Sequence, residues 1–112
     1  KNEEFKSLLK NKKISNKYAT IFFGILNKKN KKKLNISFVT KKKIGNAVKR
    51  NKIKRRLRNI MNDASKEISI NLNYSYLVIA KPTMLNNEFK KIKETLFQEF
   101  EKIKQWIYQL TF

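Results

Sequence analysis

The 112-residue chain contains no cysteine and no histidine. Their absence excludes a disulfide framework, a thiolate nucleophile, an imidazole base and the usual Cys/His zinc sites. Acids are also scarce, with eight Asp and Glu against 28 Lys and Arg, for a formal net charge of +20. Those eight are too scattered to suggest a carboxylate cage for a divalent cation. Two glycines and one proline leave no flexible linker between domains. No apolar run approaches the ~18–20 residues needed to cross a bilayer, and no signal-peptide pattern is visible. Lys1 in the place of an initiating Met suggests a trimmed N-terminus.

What is present can still build a core. Hydrophobic residues make up 40% of the chain and aromatics 12%, including eight Phe, four Tyr and one Trp. A disordered basic tail rarely carries so many rings. The length fits one folded, cationic domain over 1–112, with 105–112 reading as a flexible tail.

The charge is unevenly placed. Residues 5–62 hold 20 of the 28 bases and no acid, while the rest of the chain balances eight bases against eight acids. Much of the lysine reads as solvated surface, for instance the run Asn27 to Lys33. Arginine is different: Arg50, Arg55, Arg56 and Arg58 are the only four, and they fall within nine residues. In so lysine-rich a chain, that clustering points to a need for planar, bidentate donors.

Periodicity and turn signals predict the element order α-β-β-α-β-α, an α/β sandwich with a small central sheet. The first helix is expected over 2–12, the strands over Lys17–Asn27, Leu34–Thr40 and Tyr74–Ala80, with the first two as hairpin partners. Asn46 is placed to cap a helix running to about Ser65, and Asn86 or Asn87 to open the last helix. That last helix spaces Phe89, Ile92, Leu96, Phe100, Ile103, Ile107 and Leu110 by threes and fours, an amphipathic pattern for packing on a sheet.

The middle helix separates two chemistries. With Ile53 at 0° and about 100° per residue, Leu57, Ile60, Ala64 and Met61 fall between about −20° and 80° as a buried stripe. Asn51, Lys54, Arg55 and Arg58 fall between about 100° and 200°, on the opposite side. The helix start adds oriented N–H groups and partial positive charge where Lys41, Lys42 and Lys43 arrive. Phosphate is the ligand this suits. Membrane binding fits poorly, because the apolar side is needed for the core and lacks Trp or Phe. DNA reading fits poorly too, since neither an all-helical context nor a zipper surrounds this helix. RNA is the favoured partner.

The segment Lys42 to Arg58, KKIGNAVKRNKIKRRLR, closely resembles the signature of the bacterial ribonuclease P protein subunit family, K-K-x-G-x-A-V-x-R-N-R-x-K-R-x-x-R. The start Lys1 to Phe5 and the strand end Ile79-Ala80-Lys81-Pro82 are similar to the family's corresponding pieces, in the same order. The resemblance implies a left-handed βαβ crossover that carries the basic helix. It also implies an accessory subunit of a ribozyme that cleaves the 5′ leader from precursor tRNA. The RNA subunit would hold the catalytic centre and its Mg2+, with no catalytic residue and no metal site on the protein.

Carried over by position, the resemblance makes Lys42, Lys43, Asn46, Arg50, Asn51, Lys52, Lys54, Arg55 and Arg58 RNA-binding. Lys52 stands where the family usually has Arg, keeping the charge but not the bidentate geometry. Phe5, Leu9 and Phe22 are implied to line a cleft for the leader, with ordinary core packing as the alternative for these three. The implied partners are ribonuclease P RNA and the precursor tRNA leader, in a bacterial cytoplasm. A structural ribosomal-RNA-binding protein is the competing expectation.

Overall fold

A computed structural model describes residues 12–25, 35–70, 74–86 and 88–110. The first-helix expectation, with Phe5 and Leu9, lies outside these residues apart from Lys12. Four strands form one sheet: β1 (Lys12–Ser15), β2 (Ala19–Ile25), β3 (Asn35–Val39) and β4 (Tyr74–Ala80). Among the described residues, two long helices accompany it, α1 (Ala47–Glu67) and α2 (Phe89–Leu110). Short 3-10 turns at Lys42–Ile44 and Pro82–Leu85 lead towards the helices.

The strand order is β1-β2-β4-β3. β2 pairs antiparallel with β1 and β4, whereas β3 pairs parallel with β4. Two expectations are thereby corrected. β2 and β3 are not hairpin partners; β4 lies between them, and β3-α1-β4 is the βαβ crossover. Lys12 ends no helix either, because Lys12–Ser15 is an edge strand closed onto β2 by the turn 16–18. A four-residue strand with two exposed lysines has too little alternation to announce itself.

The register sorts side chains onto two faces. Ile14, Ile21, Val78 and Phe38 lie in one row across the sheet, and Ile36, Phe23 and Tyr76 belong to the same face. Against that face pack Ile53, Leu57, Ile60, Met61 and Ala64 of α1, the stripe expected from the helical period, all buried. From α2 come Ile92, Leu96, Phe100, Ile103 and Ile107. Phe100 meets Tyr76 edge-on at 5.8 Å, and Trp106 meets Phe23 at 5.2 Å. Helix therefore persists to Leu110, where the sequence suggested a tail from 105.

The helix caps are local chemistry. Asn46 adopts an extended conformation, and its Oδ1 accepts a hydrogen bond from the Lys49 N–H at 3.0 Å. Gly45 just before it sits at φ 153°, ψ −166°, a region closed to side-chain-bearing residues. Both helices are thus held on one side of the sheet, with the N-terminus of α1 at the carboxyl ends of β3 and β4.

Candidate nucleic-acid interface

Seven cations lie between Lys49 and Arg58 on the first half of α1. Lys49, Lys52, Arg55 and Arg58 are exposed, as is Asn51; Arg50, Lys54 and Arg56 are half-buried at the flanks of the apolar stripe. Lys41, Lys42 and Lys43 are exposed immediately upstream. No acid occupies the first turn of α1, and its acids, Asp63 and Glu67, fall at the far end. This order opposes the helix macrodipole, which prefers anions at the N-terminus and cations at the C-terminus. Like charges three and four apart, such as Arg50 with Lys54 or Arg55 with Arg58, add repulsion. A helix arranged against its own electrostatics is relieved by an external polyanion.

Two of the eight acids pair with lysines of α2. Lys93 on α2 pairs with Asp63 at 3.0 Å, and this hydrogen bond holds the Lys93 ammonium above its usual pKa despite some desolvation. Lys102 pairs with Glu99 at 3.6 Å. Neither acid faces the cationic half of α1.

All nine residues expected to bind RNA are brought to one region, the start and outer face of α1 and the 3-10 turn before it. Asn46 has a structural task there as well, since its side-chain oxygen caps the helix. Phe22 lies on the sheet face that turns away from α1 and α2, in one row with Lys13 and Leu77. It is half-buried, and the Lys13 ammonium stands 5.8 Å from its ring centroid. A ring with a cation over it suits a base with its phosphate.

Sequence reasoning missed the residues gathered by the strand ends. Lys17 and Lys81 lie more than sixty residues apart in the sequence, yet strand pairing brings both to the end of the sheet where α1 begins. No local signal marks them, because strand pairing alone brings them together. Among the described residues, no group of three or more His, Cys, Asp or Glu could hold a metal ion. No helix among them is long and apolar enough to cross a membrane.

Fold and surface together define a small α/β domain with one strongly cationic helix among the described residues. The Ribonuclease P family model matches residues 1–104. The ribonuclease P protein component of Carboxydothermus hydrogenoformans is 31% identical over 110 residues, covering 96% of this chain and 90% of the relative. That of Mesoplasma florum is 33% identical over 96 residues, covering 86% of this chain and 84% of the relative. Among solved structures, the Staphylococcus aureus RNase P protein superimposes with a TM-score of 0.70 at 26% identity, over 93% of this chain and 91% of that one. The RNase P protein of Thermotoga maritima shares the fold, with a TM-score of 0.75 at 22% identity over 90% and 92%. The chain belongs to the ribonuclease P protein family, the protein component of a tRNA-processing endoribonuclease.

Proposed function

We propose that this chain is the RNA-binding accessory subunit of a ribonuclease P ribozyme. It binds the catalytic RNA and the 5′ leader of precursor tRNA, and so promotes 5′ maturation in the bacterial cytoplasm. The observation that carries this reading is the split of α1. Five of its apolar residues are buried in the core while Lys49, Lys52, Arg55 and Arg58 stand exposed, in a stretch of the sequence, residues 5–62, that contains no acid. The catalytic centre and its magnesium ions belong to the RNA, and the chain supplies positioning and affinity. Each phosphate it engages steepens the salt dependence of binding by about 0.7 on a single strand and about 0.9 on a duplex. By screening RNA–RNA repulsion it also lowers the magnesium needed to hold substrate.

The leader runs along the sheet face opposite α1 and α2, where half-buried Phe22 offers a stacking surface and Lys13 a counter-charge. Family membership separates this reading from a purely structural ribosomal-RNA binder. Reconstitution tests it: the chain is mixed with a ribonuclease P RNA at low magnesium, and 5′ cleavage of a precursor tRNA is followed. Stimulated cleavage is the expected result. Binding to the RNA without any effect on cleavage would favour the structural role instead.

A further inference from the structure

The turn between β1 and β2 is held more firmly than its length requires. Within it, Asn16 Oδ1 accepts from the Tyr18 and Ala19 N–H groups at 2.8 and 3.0 Å, and the Asn16 N–H donates to the Ala19 carbonyl at 3.0 Å. From outside, three consecutive carbonyls are bonded by one short segment that follows β4. The Lys81 ammonium donates to the Asn16 carbonyl at 2.6 Å and to Ser15 Oγ at 2.9 Å. The Thr83 hydroxyl donates to the Lys17 carbonyl, and the Lys81 N–H donates to the Tyr18 carbonyl at 2.8 Å. Tyr18 itself is fully buried. The side chain this clamped turn presents outward is Lys17, exposed, with its ammonium 5.1 Å from the Tyr18 ring centroid.

Topology gives this lysine its neighbours. Ala19 pairs with Ala80 and Val39 with Ile79, so the turn, the end of β4 and the end of β3 lie along one edge of the sheet. Lys41 to Lys43 follow β3 at that edge and lead into the N-terminus of α1. With strands about 4.8 Å apart, the turn lies about 10–14 Å from β3, between one and two Debye lengths at physiological salt and close enough for one RNA strand to reach both.

We infer that Lys17 is a further RNA contact at the far end of a cationic rim that starts on α1, and that Lys81 and Thr83 are positioning residues that hold it there. This rests on the RNA-binding reading above and extends the interface by one strand-to-strand turn that no motif includes. Lys81 itself, whose place beside the other lysines would suggest a phosphate contact, has its ammonium committed to the turn. A clamped turn loses little freedom when Lys17 meets a phosphate, so the contact is pre-organised.

The test measures binding of leader-bearing precursor tRNA to the reconstituted holoenzyme as a function of monovalent salt. Losing one single-strand phosphate contact lowers the salt slope by about 0.7, which is about a fivefold weaker affinity at 0.1 M salt. Lys17→Gln is expected to show both changes with an unaltered melting temperature. Lys81→Met is expected to match it, and the double variant to lose no more than either alone, because one contact is removed by two routes. If Lys81→Met does not fold, Thr83→Val loosens the same turn and takes its place. Arg55→Ala is the control for the parent reading. A lowered slope for Arg55→Ala with an unchanged slope for Lys17→Gln overturns the Lys17 assignment alone. Unchanged slopes for both overturn the RNA-binding reading and this inference with it.

Discussion

Arg55→Ala separates stability from binding most sharply, because the two are expected to move in opposite directions. Arg55 is exposed on the side of α1 opposite the buried stripe. At helical spacing it neighbours Lys52 and Arg58, both cations, and no acid. Each like-charge pair costs roughly 0.2–0.5 kcal/mol at low salt. Removing two such pairs, with alanine at least as good a helix former as arginine, gives a net stabilisation of about 0.4–1 kcal/mol. For a chain of this size that raises the melting temperature by about 2–5 °C. The gain should fade in high salt, since exposed pairs are screened. RNA affinity should fall, with the salt slope reduced by about 0.7–0.9 for one lost phosphate. Calorimetry at two salt concentrations and a binding titration series measure both halves. A melting temperature that drops by several degrees would refute the argument, because Arg55 would then be packing against the core.

Three other outcomes follow from the same geometry. Leu57→Ala, at a fully buried position of α1, should cost about 2–5 kcal/mol in urea unfolding while leaving the salt slope of RNA binding unchanged in the folded fraction. Gly45→Ala should cost about 1–3 kcal/mol, since φ 153° excludes a side chain and the added Cβ would come within 2.8 Å of Lys49 Cδ; an unchanged melting temperature would show that the turn before α1 relaxes freely. Burial, with Tyr74 adding to it, pushes the Tyr76 phenol well above the ordinary value of 10.0. Its folded pKa is raised, so its contribution to stability is intact below pH 10 and declines above it, as the unfolded phenol ionises first. If the phenolate absorbance assigned to Tyr76, by difference from a Tyr76→Phe variant, rises near pH 10 while the chain is still folded, the argument fails.

The division of α1 into an apolar stripe and a cationic side was legible because a helix converts spacing into direction without reference to the rest of the chain. Ile53, Leu57, Ile60, Met61 and Ala64 share a stripe at 3.6 residues per turn, and the cations between them have only the other side to occupy. Asn46 as a cap was legible for the same reason, since its bond to the Lys49 N–H spans three residues. The strand segments β2, β3 and β4 announced themselves through β-branched and aromatic content, β4 to the residue.

Pairing was another matter. Whether β2 meets β3 or β4 depends on contacts between residues 49 to 61 positions apart, and a hairpin is merely the shortest way to join two neighbouring strands. The inserted β4 turns β3 into a parallel edge strand and sends α1 across the sheet as a crossover. β1 stayed hidden because four residues with two lysines carry no strand pattern until β2 supplies the hydrogen bonds.

The sequence by itself determined a cationic helix with its own apolar anchor, because charge and period are local properties of the chain. Only the tertiary structure decided where that chemistry extends. The bonds from Lys81 to Ser15 and Asn16 join residues 66 and 65 positions apart. They place Lys17 at the same sheet edge as the start of α1, a neighbourhood made by strand order alone.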